Sequence, residues 1–221
     1  MDVTDPCQKN LIEKIFRDIY DTNVWYNLGS ELLKQTESKS GGGSTLKQTK
    51  VIVRELPILF ENLNIGTILD ASCGDFNWMK LINFSNIKYI GVDIVPQVIA
   101  ENITKYQKDN ISFNVMDIIN DELPKADIII CRDCLVHFPI EGILKAIENF
   151  KKSGAIYLLT TTFTGNRKNN IHAKFGDWNP FNLEDSPFNF PKPITIINEN
   201  CTEANCMYTD KSLGLWKLSD L

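Results

Sequence analysis

Leu69-Asp70-Ala71-Ser72-Cys73-Gly74-Asp75-Phe76-Asn77-Trp78 is an apolar run that closes on an acid and breaks into small residues around a glycine. With its flanks it predicts a buried strand, Thr67–Ala71, turning at its carboxyl end. Open α/β sheets bind ligands outside those ends, so residues 72–78 mark the first place to expect a site. Short β-rich runs recur at Tyr89–Asp93, Ile111–Val115, Ile128–Cys131 and Ala155–Thr161. Helical spacing fits Asn77–Ile82, Pro96–Tyr106 and Ile140–Lys151 between them. Strands separated by helices imply parallel pairing with right-handed crossovers, and nearly continuous apolar runs imply strands covered on both faces. A last pair, Ile194–Asn198 and Leu213–Leu218, predicts an antiparallel hairpin at one edge. The expected fold is α/β and doubly wound, with a mostly parallel seven-stranded sheet and a C-terminal antiparallel hairpin.

Upstream, Gln8–Tyr20 places Leu11, Ile12, Ile15, Phe16, Ile19 and Tyr20 at helical spacing, predicting an amphipathic helix folded over the sheet. Ser38–Ser44 reads SKSGGGS. By composition it is a linker, but the apolar pattern that resumes across Thr45–Leu63 makes it the opening of a helix. Such a turn exposes N–H groups that favour an anion. Downstream, Phe163–Pro193 is polar, aromatic and proline-rich without periodicity, longer than a passive loop; an ordinary packed excursion is the alternative. The 221 residues fit one domain, residues 1–221, with a helical cap and glycine turn over 1–45.

The 23 Lys and Arg against 28 Asp and Glu leave a formal charge of -5 and no basic patch, so a nucleic-acid partner is not expected. Met1–Asn10 lacks an apolar signal core, and no run approaches the roughly 20 apolar residues of a membrane span; a cytoplasmic monomer or homodimer is expected. Six scattered cysteines (Cys7, Cys73, Cys131, Cys134, Cys201, Cys206) suit reduced thiols. A zinc site from Cys131, Cys134, Cys201 and Cys206 is an alternative with poor spacing; no metal is expected.

Three successive strands end in acids. Asp93 closes Tyr-Ile-Gly-Val-Asp, 93 − 70 = 23 residues after Asp70, where this fold places a carboxylate for both ribose hydroxyls of a nucleotide-like ligand. Asp117 closes Asn-Val-Met-Asp. Each could be only a helix N-cap, but three carboxylates closing three successive strands at this spacing are a specific signal. The fourth strand runs into Cys131-Arg132-Asp133-Cys134-Leu135-Val136-His137-Phe138, and charges directly after a buried strand are costly unless paired or facing a cleft. A surface Arg132–Asp133 pair, and a His137 packed on Phe138, are the plain alternatives.

These stretches resemble the class I S-adenosylmethionine-dependent methyltransferases, whose fold is Rossmann-like. Asp70 and Gly74 match the acid and central glycine of the family's first turn; Ser72 and Phe76 stand where it has further glycines. The resemblance implies S-adenosylmethionine as cofactor, bound through Asp70, Ser72, Gly74, Asp75, Trp78, Asp93, Ile94, Met116, Asp117 and Arg132, with Asp117 receiving the adenine amino group. SGGGSTL, CGDFNWM, CRDCLVHF, GDWNPFNL, PFNFP and DKSLGLW further resemble a bacterial subgroup associated with surface-polysaccharide biosynthesis. That implies O-methylation of a small polar or anionic acceptor, such as a sugar- or phosphate-containing precursor. Asp133, His137 and His172 are then the candidate bases. Gly43, Ser44, Thr45, Arg132, Thr162, Asn166, Arg167, Asp177 and Trp178 are the candidate acceptor contacts, with residues 163–193 as an acceptor-side lid. Arg132, Arg167, Lys168 and Lys174 would orient an anion. An NAD-dependent oxidoreductase shares the sheet and Asp93 but needs Gly-x-Gly-x-x-Gly, which residues 72–77 do not supply. A non-catalytic nucleoside-binding partner subunit is the alternative of a different class.

Overall fold

The computed structural model describes residues 6–22, 24–27 and 37–221; the rest of the expected 1–45 cap lies outside the described residues. Two helices, α1 (Pro6–Asp21) and the one-turn α2 (Val24–Asn27), precede α3 (Leu46–Asn62) and β1 (Thr67–Ala71). Then come β2 (Lys88–Asp93), α4 (Pro96–Tyr106), β3 (Ile111–Val115), β4 (Ile128–Cys131), α5 (Ile140–Lys152) and β5 (Tyr157–Phe163). The chain closes with β6 (Thr195–Asn198) and β7 (Lys211–Lys217). The sheet order is β3-β2-β1-β4-β5-β7-β6. Strands β1 to β5 are parallel, and β7 runs antiparallel between β5 and the edge strand β6. The doubly wound sheet with its C-terminal hairpin is therefore present, and its order reverses between β1 and β4, where such sheets open a crevice.

Strand periodicity splits the core in two, because successive side chains point to opposite faces. Leu69, Ala71, Ile90, Val92, Ile129, Cys131, Leu158 and Trp216 pack on one face beneath Ile12 and Phe16 of α1 and Ile143, Ala146, Ile147 and Phe150 of α5. Ile68, Tyr89, Phe113, Ile128, Ile130, Leu159 and Leu213 pack on the other beneath Ile52, Leu56 and Phe60 of α3. The latter three recur every fourth residue, the buried stripe of an amphipathic helix.

Three expectations are corrected. The β1–β2 connection carries one 3-10 turn, Met79–Leu81, in place of a helix over Asn77–Ile82; Phe76, Trp78, Met79, Ile82 and Phe84 are all buried, and one α-helical face cannot present all five. Strand β5 lies two residues later than Ala155–Thr161 because Thr160, Thr161 and Thr162 pair with Gly214, Leu213 and Ser212 of β7. The 163–193 stretch is not wholly a lid, because part of it anchors in the core: Phe181, Leu183, Phe188 and Phe190 are buried with Trp216. The Trp216 indole lies against Gly214, where any Cβ would sit 2.2 Å from the ring, and its Nε1 donates to Pro191 O at 2.7 Å.

Candidate active site

A cavity of about 550 Å³ opens over the carboxyl ends of β1 to β4, within the roughly 300–1,000 Å³ typical of small-molecule sites. Its floor is the β1 turn. Ser72, Gly74 and Phe76 have φ of 76°, 53° and 57°, so the chain adopts a glycine-like course at all three positions, two of them without glycine. Left-handed backbone costs a side-chain-bearing residue about 1 kcal/mol or more. Here it is offset by contacts: Ser72 Oγ meets Cys134 Sγ at 2.9 Å, and Phe76 packs among Phe84, Tyr89, Tyr106 and Phe113. Only Gly74 has no room for a side chain, since its Cβ would lie 2.3 Å from Ser40 Oγ. Asp75 holds the 38–40 turn against this floor, its Oδ2 accepting from Lys39 N at 2.6 Å and its Oδ1 from both Ser38 and Ser40 hydroxyls at 3.2 Å.

Asp70, Asp93 and Asp117 all line this one cavity. Asp70 accepts from Tyr89 Oη at 2.6 Å, and burial pushes its carboxyl up to about 7 despite that bond. Asp93 accepts from Val95 N at 3.0 Å and Gly74 N at 3.2 Å; burial outweighs these amides and raises it to about 6. Asp117 also caps the turn that follows it, accepting from Ile119 N at 2.8 Å and Asn120 Nδ2 at 2.7 Å. Ile94, Met116 and Ile118 supply the apolar wall between the last two acids.

At the other end, Arg132 leaves β4 and is buried. Its Nε and Nη2 grip Glu199 at 3.0 and 2.7 Å, Nη2 also donates to Gly43 O at 2.8 Å, and Nη1 lies 3.2 Å from Asp133. Lys211, at the start of β7, sets its Nζ 2.6 Å from Asp133 Oδ2. Burial alone would raise the Asp133 carboxyl, but the Arg132 and Lys211 cations hold it well below the usual carboxylate range. His137 is buried against Trp25, ring centroids 4.7 Å apart. Its Nδ1 meets Asp177 O at 2.8 Å, a contact that requires Nδ1 to carry the proton and leaves Nε2 as a lone pair. Burial lowers its pKa, and among the described residues Nε2 has no hydrogen-bond partner.

The expected cofactor contacts Asp70, Ser72, Gly74, Asp75, Trp78, Asp93, Ile94, Met116, Asp117 and Arg132 all line the cavity, with Gly43, Ser44, Asp133, His137 and Trp178. Six other expectations are corrected, because their residues lie outside it. His172 is exposed. Thr45 is the N-cap of α3. Thr162 is buried under Leu183, whose N–H it accepts, and Asn166 is exposed. Arg167 is bound bidentately to Asp210 at 2.8 and 2.6 Å. Asp177 contributes only its carbonyl to His137. Lys168 and Lys174 are exposed and do not line the cavity either. Of residues 163–193, only Gly176 and Trp178 reach it. Residues that sequence reasoning missed are Tyr20 and Trp25 from the cap, and Glu203, Tyr208 and Lys211 around the C-terminal hairpin. Among the described residues no cluster of His, Cys, Asp or Glu is arranged to hold a metal ion, and no helix is long and apolar enough to cross a membrane.

Residues 64–215 match a family model described as a methyltransferase domain. The chain belongs to this methyltransferase family. Among solved structures it is similar to magnesium protoporphyrin IX methyltransferase from Synechocystis with bound SAH (20% identity, 72% of this chain and 74% of that one, TM-score 0.53). It is also similar to human N-acetylserotonin methyltransferase in complex with SAM (14%, 76% and 52%, TM-score 0.56). A third likeness is to the methyltransferase domain of bacterial CtHen1 (10%, 77% and 99%, TM-score 0.57). At these identities the likeness establishes the Rossmann-like fold. No curated protein matches the chain. The methyltransferase is of class I and uses S-adenosylmethionine. Its cavity fits that molecule chemically, with buried carboxylates at the β1 to β3 tips and an apolar wall between two of them.

Proposed function

We propose that this methyltransferase transfers the methyl group to a hydroxyl of a small polar molecule, with His137 as general base. The observation that carries this reading is the buried, neutral His137, which lines the cavity with Nδ1 anchored on a carbonyl and, among the described residues, no hydrogen-bond partner at Nε2. A neutral imidazole held in one tautomer is well placed to take a proton near neutral pH. Asp133 has the opposite character: held ionised by two cations, it is too weak a base, but its charge favours the imidazolium formed at His137.

Bound S-adenosylmethionine supplies an electrophilic methyl on its sulfonium. Asp93 would accept the ribose hydroxyls and Asp117 the adenine amino group, with Ile94 and Met116 flanking the ring. The cap residues Phe16, Tyr20 and Trp25 add aromatic walls to the cavity, surroundings that favour exclusion of water from the transfer. The resemblance to enzymes of surface-polysaccharide biosynthesis supports a saccharide-like acceptor, entering past Trp178. In His137→Gln, transfer of labelled methyl to a panel of hydroxylated compounds should fall about 10²- to 10⁴-fold, with SAH affinity by calorimetry unchanged. Wild-type turnover in that variant would remove His137 from the reaction.

A further inference from the structure

Among the described residues the His137 imidazole makes one hydrogen bond, from Nδ1 to Asp177 O at 2.8 Å. One bond does not fix the ring, because the histidine χ2 torsion is broad. A second restraint comes from the N-terminal cap. The half-buried Trp25 indole lies against the imidazole with ring centroids 4.7 Å apart and 31° between the planes. The two rings are near enough to parallel that turning the imidazole about χ2 would drive its edge into the indole.

Trp25 is itself wedged in place. Tyr20 meets it edge-on at 5.4 Å, and Phe16 flanks it at 6.1 Å. Gly41 has a φ of 95°, and a Cβ there would sit 3.1 Å from Trp25 Cβ, so glycine is what lets the 38–44 turn pass this close to the indole. Tyr20 Oη in turn meets Ser40 Oγ at 2.9 Å, and Ser40 accepts from Asp75 N at 3.0 Å, which ties the cap to the cofactor floor. The family model matches residues 64–215, so every one of these cap contacts reaches the matched region from outside it.

The neighbouring charges do not hold the ring. Asp133, on the same loop as His137, and Lys211, from β7, act on its charge in opposite senses and pair with each other at 2.6 Å. The Asp177 carboxylate is turned to Lys174 N, and the Tyr20 phenol stays protonated, its pKa raised by burial. The flat face of Trp25 is therefore the restraint that complements the Asp177 carbonyl.

We infer that Trp25 is a positioning residue, whose indole holds the His137 ring in the orientation that keeps the proton on Nδ1 and leaves Nε2 basic. This rests on the general-base reading above and names the group that makes His137 competent. The chain has two histidines, so in a His172→Gln background nitrogen NMR reads His137 alone. At pH 8 the ring should show a protonated Nδ1 and a lone pair at Nε2. Trp25→Ala and Trp25→Leu should move it to roughly equal populations of the two tautomers, since a released imidazole favours the proton on Nε2. Trp25→Phe keeps a flat ring and should restore the Nδ1–H form. An unchanged tautomer in Trp25→Leu folded by circular dichroism, or a Trp25→Phe ring as perturbed as that of Trp25→Leu, overturns the inference.

Activity provides the second arm, with labelled S-adenosylmethionine and the hydroxylated compound that wild type methylates fastest. Trp25→Leu should lower kcat about 10²-fold, as loss of catalytic geometry does, while KM and SAH affinity stay within about threefold. Trp25→Phe should recover most of that loss. A raised KM at unchanged kcat would make Trp25 an acceptor contact and overturn the positioning role. Full turnover in His137→Gln beside a shifted tautomer in Trp25→Leu would overturn the general-base reading and support the hold of Trp25 on His137, so the two failures are distinguishable.

Discussion

Asp93→Asn tests the nucleoside half of the site through pH. Burial raises the Asp93 carboxyl to about 6 in the ligand-free protein, against roughly 3.9 for an unperturbed aspartate. Ribose hydroxyls donate best to the ionised form, so affinity should follow the ionised fraction: nearly all at pH 8, half at pH 6, about one part in eleven at pH 5. The Kd for SAH should therefore rise roughly tenfold between pH 8 and pH 5, about 1.4 kcal/mol. Asparagine keeps the shape but has an acceptor for only one of the Gly74 and Val95 amides, which bond different carboxylate oxygens, and on the ribose side it exchanges two charge-assisted hydrogen bonds for weaker ones, at about 1 kcal/mol each. The variant should bind about 30-fold more weakly than wild type at pH 8, converge to about threefold at pH 5, and show a flat profile. Titration calorimetry from pH 5 to 8 measures all of this, and Asp70, which also titrates near neutral pH, is common to both proteins. A flat wild-type profile, or the same slope in Asp93→Asn, would refute the assignment of Asp93 to the ribose.

Two further outcomes are expected. Arg132→Met strips the partner from Glu199, buried behind it, at a cost of about 3–5 kcal/mol, so Tm should drop by about 10 °C in calorimetry; a drop under about 2 °C would show that the pair contributes little. Gly74→Ala places a methyl 2.3 Å from Ser40 Oγ at a φ of 53°, so it should undock the 38–40 turn and weaken SAH binding at least tenfold, and unaltered affinity would contradict that account.

Much of the nucleoside end was legible before any coordinates. Apolar runs are local, and a strand buried on both faces must be apolar along its length, so β1, β3 and β4 fall where the pattern predicts. Asp70, Asp93 and Asp117 could be read because each stands where such a run stops, and parallel pairing then puts all three at one edge of the sheet. The left-handed course at Ser72 and Phe76 could not be read: the expected glycines are missing, and the contacts that offset the strain come from Cys134 and from an aromatic cluster gathered across the fold.

The acceptor end was decided by tertiary structure. Arg132 and Glu199 stand 67 residues apart, and Lys211 and Asp133 stand 78 apart. A lysine or glutamate whose partner is that distant looks in sequence like any solvated charge. The arginines chosen from sequence as anion holders are neutralised in the fold, Arg132 by Glu199 and Arg167 by Asp210, and His172 stays at the surface while His137 is buried under Trp25. The residue order determines which strands are covered and which end in acids, because those depend on near neighbours. Which charges are spent on each other and which stay free for a ligand depends on the insertion of β7 between β5 and β6, since only that pairing brings Lys211 to Asp133.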